Sequence, residues 1–219
     1  MEQTILQVRM LGEFSLTWGD RQLSCTGSRS RLLWNLLAYL LCHRGEVISA
    51  EELIPVLWKH EKNENPASAM RTAVHRARTL LNELTGDTSV QFLISGNGGY
   101  MWNPDVQTVI DAEVFEQLAG TSDDPDTDAL LAAMEVYRGK FLPMHSSELW
   151  VMPVQAYYQS LYESLIDRVV LALERENRFA EGVAICNRAL QIDPYSEKIY
   201  QYLMRFLLVA DECQEVVRV

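Results

Sequence analysis

The sequence predicts an α+β domain in residues 1–105 followed by an all-α, tetratricopeptide-like domain in residues 106–219. In the first part, strand-like alternation stands before and after three amphipathic helical segments, whereas the second part shows only helical periodicity. Residues 1–105 hold 10 Lys and Arg against 11 Asp and Glu, and residues 106–219 hold 9 against 19. The near-neutral part can present a local basic face, while the acidic part repels nucleic acid and suits protein contacts.

Composition and cysteine usage predict a folded, soluble, cytoplasmic protein. Of the 219 residues, 48% are hydrophobic and 22% are charged, as in ordinary globular domains. The start has no basic region before a long apolar run, and the longest apolar stretch, Leu36–Cys42, is too short to span a bilayer. The scattered cysteines have no zinc-ligand spacing, and we expect reduced thiols at Cys25, Cys42, Cys186 and Cys213. We therefore expect no membrane association, no metal and no cofactor.

The first elements form a small antiparallel sheet and a helix. The stretch "TILQVRMLGEFSLTWGDRQLSC" alternates between apolar and polar residues, and Gly19-Asp20 supplies a hairpin turn. The following stretch "SRLLWNLLAYLLCHRG" carries leucines at helical spacing. We expect Ser30 to cap this helix and Gly45 to stop it.

Two more helices and a hairpin complete the first part. Ser49-Ala-Glu-Glu52 has the spacing of a capping box and opens a helix to Trp58 that contains Pro55. Pro66 suits the first turn of a helix over residues 67–84. The stretch "SVQFLISGNGGYMW" then predicts two short strands around a turn at residues 96–99.

The helix 67–84 gathers three arginines and a histidine on one face. Its apolar arc, placed at about 100° per residue, consists of Met70, Ala73, Val74, Ala77, Leu80, Leu81 and Leu84. The opposite face carries Ser68, Arg71, Thr72, His75, Arg76, Arg78, Thr79 and Asn82, with no acidic residue before Glu83. Any amphipathic helix has a solvated face, so this pattern alone would also fit an ordinary surface helix with no binding role.

The second part reads as helices throughout. Asp111 is expected to cap the helix "DAEVFEQLAG", which Gly120 ends. A long helix is marked by Tyr158, Leu161, Leu165, Val169 and Ala172. Two sets of apolar residues, each spaced by 4, 3 and 4 positions, lie before and after Asp193-Pro194: Phe179, Val183, Cys186, Leu190 and Ile199, Leu203, Phe206, Ala210. They predict a repeat-like helical hairpin, although generic all-α packing would give the same pattern. Since "ADECQEVVRV" begins another helical pattern, we expect this domain to continue past Val219.

These residues, in this order, resemble a known family. The run from "VRMLGEFSL" through "GEVISAEELIPVLW", "ASAMRTAVHRARTLL" and "GGYMW" to "VIDAEVFEQL" resembles the OmpR-type winged-helix DNA-binding domain of SARP/AfsR-like activators. "ALLAAMEVYRGKFLP" and "RFAEGVAICNRALQIDPYSEKIYQYLMRFLL" resemble the bacterial transcriptional activator domain that follows it. The resemblance implies that residues 67–84 form the recognition helix and residues 92–102 the wing.

The resemblance also implies which residues meet DNA. Thr72, Arg76 and Arg78 stand where the family's helix contacts DNA, and Ser68, Arg71, His75 and Thr79 share that face. Arg76 and Arg78 are about 160° apart around the helix, so we assign Arg76 to base edges and Arg78 to phosphate. The wing contains no Lys or Arg, which leaves Asn97 as its hydrogen-bonding candidate.

The resulting prediction is a sequence-specific transcriptional regulator, with an activator role implied by the resemblance. The expected partner of the protein is double-stranded promoter DNA. The connection 59–65 matches a loop that can contact RNA polymerase in OmpR-type proteins, although the charges of this loop also suit a plain solvated connection. Homodimerisation and the target promoter stay open. The alternative is a protein-interaction scaffold whose winged helix no longer binds DNA. An enzyme is not expected, because the sequence has no G-x-S-x-G, H-E-x-x-H or phosphate-cradling glycine loop.

Overall fold

The chain divides into two compact units, each with its own core. The computed structural model describes residues 4–26, 30–58, 65–96, 98–120 and 126–217. One unit comprises Met1–Glu113 and Lys140–Gln155, and the other comprises Val114–Gly139 and Ala156–Val219. The predicted class, an α+β region followed by a helical region, is confirmed. The boundary at residue 105 stays a prediction.

The elements of the α+β region follow the predicted order, with two unpredicted strands added at Ile48–Ser49 and Thr108–Ile110. The prediction that residues 106–219 are helical throughout was wrong at the second of these strands, which forms only by pairing with a distant segment. In chain order the elements of this region are β1 (Leu6–Arg9), β2 (Ser15–Trp18), β3 (Arg21–Ser24), α1 (Arg31–Cys42), β4 (Ile48–Ser49), α2 (Ala50–Leu57), α3 (Pro66–Thr85), β5 (Leu93–Gly96), β6 (Gly99–Trp102) and β7 (Thr108–Ile110). The helical elements that follow are α4 (Asp111–Gly120), α5 (Thr127–Val136), α6 (Val151–Arg175), α7 (Phe179–Ile192) and α8 (Glu197–Val217), with a short 3-10 turn at Pro143–His145.

The N-terminal strands form a sheet of order β3-β2-β1-β7. The predicted turn at Gly19-Asp20 joins β2 to β3, and Gly19 adopts φ +57°, which favours glycine. The edge strand β7 pairs in parallel with β1 and runs directly into α4. Asp111 therefore starts α4 beside the end of β1, where its carboxylate accepts hydrogen bonds from the backbone N–H groups of Met10 (2.6 Å) and Leu11 (3.1 Å). The sequence predicted that Asp111 caps α4; in the structure Asp111 is the first residue of that helix, and its carboxylate bonds to the backbone just after β1.

The three helices α1, α2 and α3 pack beside a second sheet of order β4-β6-β5. Ser30 occupies the N-cap position of α1, but its side chain makes no capping hydrogen bond, and α1 ends at Cys42 ahead of Gly45. The capping box at Ser49 and Glu52 is confirmed, with both of its hydrogen bonds present. Trp102 on β6 lies near Phe92, which also meets Trp18 edge-on at 5.5 Å. These aromatic rings join the two sheets in one core.

The helical region confirms the predicted long helix and the predicted helical hairpin. The buried face of α6 consists of Tyr158, Tyr162, Leu165, Ile166, Val169, Val170 and Leu173. Leu161 and Ala172, which were expected on that face, are only half-buried at its borders. Helices α7 and α8 pack on each other, and a Cβ on Gly182 would come within 2.5 Å of the Phe206 ring. Among the described residues, no helix has both the length and the apolar character needed to span a membrane.

Candidate nucleic-acid interface

Helix α3 presents the predicted basic face to solvent. Its apolar side is buried as expected at Met70, Ala73, Val74, Ala77, Leu81 and Leu84, while Leu80 is half-buried at the border. The exposed side carries Ser68, Arg71, Thr72, His75, Arg76 and Thr79. Neither Arg71 nor Arg76 forms an ion pair with another residue in the described part of the chain. Both guanidinium groups are therefore available to an external anion or base edge.

The ends of α3 are set by local chemistry. The Asn65 side chain accepts a hydrogen bond from the Ser68 N–H at 3.1 Å, and Pro66 occupies the first helical turn as predicted. Gly86 closes the helix in the left-handed conformation, at φ +67°. The helix spans residues 66–85, so the predicted range 67–84 was short by one residue at each end.

Two threonines on the exposed face have their hydroxyl protons engaged within the helix. The Thr72 hydroxyl donates to the Ser68 carbonyl at 3.0 Å, and the Thr79 hydroxyl donates to the His75 carbonyl at 3.1 Å. A hydroxyl has one proton and two lone pairs, so in this arrangement each oxygen can act only as an acceptor toward a ligand. In a major groove such an oxygen would face the amino groups of adenine or cytosine.

The N-terminal half of α3 lines a groove. The groove has a volume of about 410 Å³ and is bordered by Ser30, Leu32, Leu33, Trp58, Asn65, Ser68, Ala69, Thr72, Ala73 and Arg76. Ser68, Thr72 and Arg76 follow one another along this wall at i, i+4, i+8 spacing. The structure thus brings together three of the predicted site residues on one flank of the helix.

Arg78 lies on the other flank of α3 and, unlike Arg71 and Arg76, its guanidinium group is hydrogen-bonded within the protein. It is half-buried, its Nε–H donates to the Leu93 carbonyl at 3.1 Å, and an Nη2–H donates to the Ser95 hydroxyl at 2.7 Å. Both acceptors belong to β5, the first strand of the hairpin. Sequence reasoning missed Ser95, because no local pattern indicates that a residue seventeen positions away would meet Arg78.

The hairpin β5–β6 occupies the place predicted for the wing. Its strands pair in register from Leu93↔Trp102 to Gly96↔Gly99, and Gly98 adopts φ +78° in the turn. Asn97, the predicted contact in this turn, lies outside the described residues, as do positions 59–64 of the connection before α3. Within the described part of the chain, no group of three or more His, Cys, Asp or Glu residues could hold a metal ion.

Comparison with known proteins agrees with this arrangement. Residues 27–102 match the family model described as "Transcriptional regulatory protein, C terminal". This segment is thus similar to a transcriptional-regulator domain. It contains α1, α2, α3 and the hairpin, which are the parts that form the exposed basic face and the wing.

The whole chain also has a fold that is known from a solved structure. Mycobacterium tuberculosis EmbR, solved in complex with a low affinity phosphopeptide, matches with a TM-score of 0.69 at 19% sequence identity. The match covers 97% of this chain and 57% of that chain, so this chain spans little more than half of its length. No curated protein sequence matches this chain. The family match and the shared fold confirm the predicted resemblance to SARP/AfsR-like regulators.

Proposed function

We propose that this chain is a cytoplasmic, non-enzymatic transcriptional regulator that binds double-stranded promoter DNA by inserting the exposed face of α3 into the major groove. The observation that carries the proposal is the segregation of α3 into a buried apolar side and an exposed side with Arg71, His75 and Arg76 but no acidic residue before Glu83. A protein with a net charge of -11 that binds DNA needs such a local basic surface to approach it.

The exposed residues divide into base-reading and phosphate-binding groups. Arg76 stands beside the acceptor oxygen of Thr72 in the N-terminal groove, so we assign this pair to base edges. An arginine can grip guanine through O6 and N7, while the Thr72 oxygen accepts from an adenine or cytosine amino group. Arg71 is assigned to phosphate, with Ser68, His75 and Thr79 as further polar contacts on the same face. Activation of transcription follows from the resemblance of the second part to an activator domain.

One alternative function is supported by a specific observation. The wing has no cation, Arg78 is hydrogen-bonded to β5, and residues 106–219 carry a strong negative charge. These features suit a protein-interaction scaffold that has lost DNA binding.

Binding-site selection on the purified chain separates the two functions. We expect the parent to enrich a defined sequence, and Arg76→Ala to lose about 1–3 kcal/mol of binding free energy while relaxing preference at one base pair. Arg71→Ala should weaken binding to all sequences alike.

A charge-matched control keeps this test specific. Lys140→Ala removes one exposed cation of the first unit outside α3, so it should leave the preferred sequence unchanged. If the parent enriches no sequence, or if Arg76→Ala and Lys140→Ala behave identically, α3 does not read the DNA sequence and the scaffold function is favoured.

A further inference from the structure

The bonds from Arg78 link the recognition helix to an edge strand of the second sheet. In the three-stranded sheet β4-β6-β5, β5 is an edge strand, and among the described residues it pairs with β6 alone. The sheet meets the rest of its unit through the two-residue strand β4, through contacts of β6 with α1, and through the aromatic core at Phe92 and Trp102. Arg78 supplies β5 with a second attachment, made directly to α3.

Side-chain packing does not fill the space that Arg78 crosses. A cleft of about 420 Å³ separates the C-terminal half of α3 from the segment that leads into β5, and it is lined by Arg78, Leu81, Asn82, Thr88, Val90, Gln91, Phe92, Leu93, Ile94 and Ser95. Close packing would resist displacement by itself, but an open cleft does not. At this point the two hydrogen bonds from Arg78, which are strengthened by its charge, bridge the helix and the strand where side-chain packing does not.

Because the hairpin carries no cation, its position relative to α3 becomes important for DNA binding. With no Lys or Arg in residues 92–102, the wing has no ionic contact to offer and can contribute only through its shape and its uncharged polar groups. A surface held in its bound geometry loses less conformational entropy when the ligand arrives.

We propose that Arg78 is a positioning residue: its two hydrogen bonds to Leu93 and Ser95 hold the wing at a set distance from α3, so that helix and wing meet DNA as one preorganised surface. This inference rests on the proposed DNA-binding function, and it replaces the assignment of Arg78 to a phosphate contact. Ser95 is the partner through which Arg78 acts, and it is exposed at the same edge of the hairpin.

The first test needs no DNA. Amide hydrogen exchange is measured on the full chain for the parent, Arg78→Ala and Arg71→Ala. Loss of the Arg78 bonds should speed exchange of the β5 and β6 amides about tenfold, because a charge-assisted hydrogen bond is worth roughly that factor. Arg71→Ala, which removes a charge from the same helix but no bond to β5, should leave this exchange unchanged. Equal protection of the hairpin in parent and Arg78→Ala would overturn the inference.

The second test separates positioning from direct phosphate contact. A residue that neutralises one phosphate contributes about 0.9 to the slope of log affinity against log salt. Arg71→Ala should therefore flatten the slope, whereas Arg78→Ala should weaken binding about tenfold with the slope unchanged. Arg78→Lys keeps the charge but not the planar fork, so it should fail to restore affinity.

A double-substitution cycle completes the design. Ser95→Ala should weaken binding in the parent but add nothing in the Arg78→Ala background, because the two residues act through one bond. A flattened slope in Arg78→Ala that Arg78→Lys restores would assign Arg78 to phosphate and refute positioning. If the parent binds no DNA, the proposed function fails, and the exchange measurement alone decides whether Arg78 braces the hairpin.

Discussion

Replacing Gly99 by alanine should detach the wing from the short strand β4. An alanine Cβ at this position would lie 2.4 Å from the Ile48 carbonyl oxygen, 2.9 Å from the Ile48 carbonyl carbon and 2.9 Å from Val47 Cγ1. The closest neighbours are backbone atoms of β4, which cannot move without disturbing the pairs Ile48↔Tyr100 and Ser49↔Gly99. Overpacking of this kind lowers the free energy of unfolding by about 1–3 kcal/mol.

Urea unfolding provides the measurement. For an m-value of about 2 kcal/mol per molar urea, the expected loss moves the midpoint of unfolding down by about 0.5–1.5 M. The same substitution should also speed amide exchange across β6, because β4 is the strand that supports it.

The hairpin contains its own controls at Gly96 and Gly98. A Cβ at either position meets nothing within 4 Å, so neither substitution causes a clash. Gly96→Ala should be close to neutral, while Gly98→Ala should lose about 1–2 kcal/mol because Gly98 adopts φ +78°. The reasoning is refuted if Gly99→Ala unfolds at the same urea concentration as Gly96→Ala.

Three further predictions concern other parts of the chain. Ser49→Ala removes one hydrogen bond of the capping box with Glu52 and should reduce the free energy of unfolding by about 1 kcal/mol, as measured by urea denaturation; an unchanged midpoint would contradict it. Gly182→Val should destabilise the helical region by about 1–3 kcal/mol in thermal unfolding, since even a Cβ comes within 2.5 Å of the buried Phe206 ring. Burial lowers the pKa of the fully buried His145 below 6.5, so the unfolded state binds more protons below that pH and stability should fall as pH drops from 6.5 to 5; His145→Phe should show a smaller fall in melting temperature over this range, and an equal fall would exclude His145 as the cause.

Elements whose signals are local were predicted from the sequence alone. The glycine turn at Gly19-Asp20, the capping box at Ser49 and the proline at the start of α3 each depend on residues a few positions apart, and each was confirmed. The division of α3 into an apolar and a polar side follows from helical geometry acting on the order of residues. The order of sheet, three helices and hairpin in the winged-helix segment therefore could be predicted from the sequence.

Interactions between residues distant in the chain were decided by the tertiary structure. Arg78 and Asp111 were both singled out by the sequence, yet their partners were not: Arg78 meets Leu93 and Ser95, and Asp111 meets the end of β1 about a hundred residues earlier. A polar side chain could form hydrogen bonds with many groups in the chain, and only the folded backbone determines which of them lies within about 3 Å. The sequence by itself thus determined the helices, the two hairpins and which face of α3 is basic, but not the short strands β4 and β7, which form by pairing with distant segments. The tertiary structure decided that one of the three arginines on that face is committed to holding the hairpin, because it alone brings β5 beside the helix.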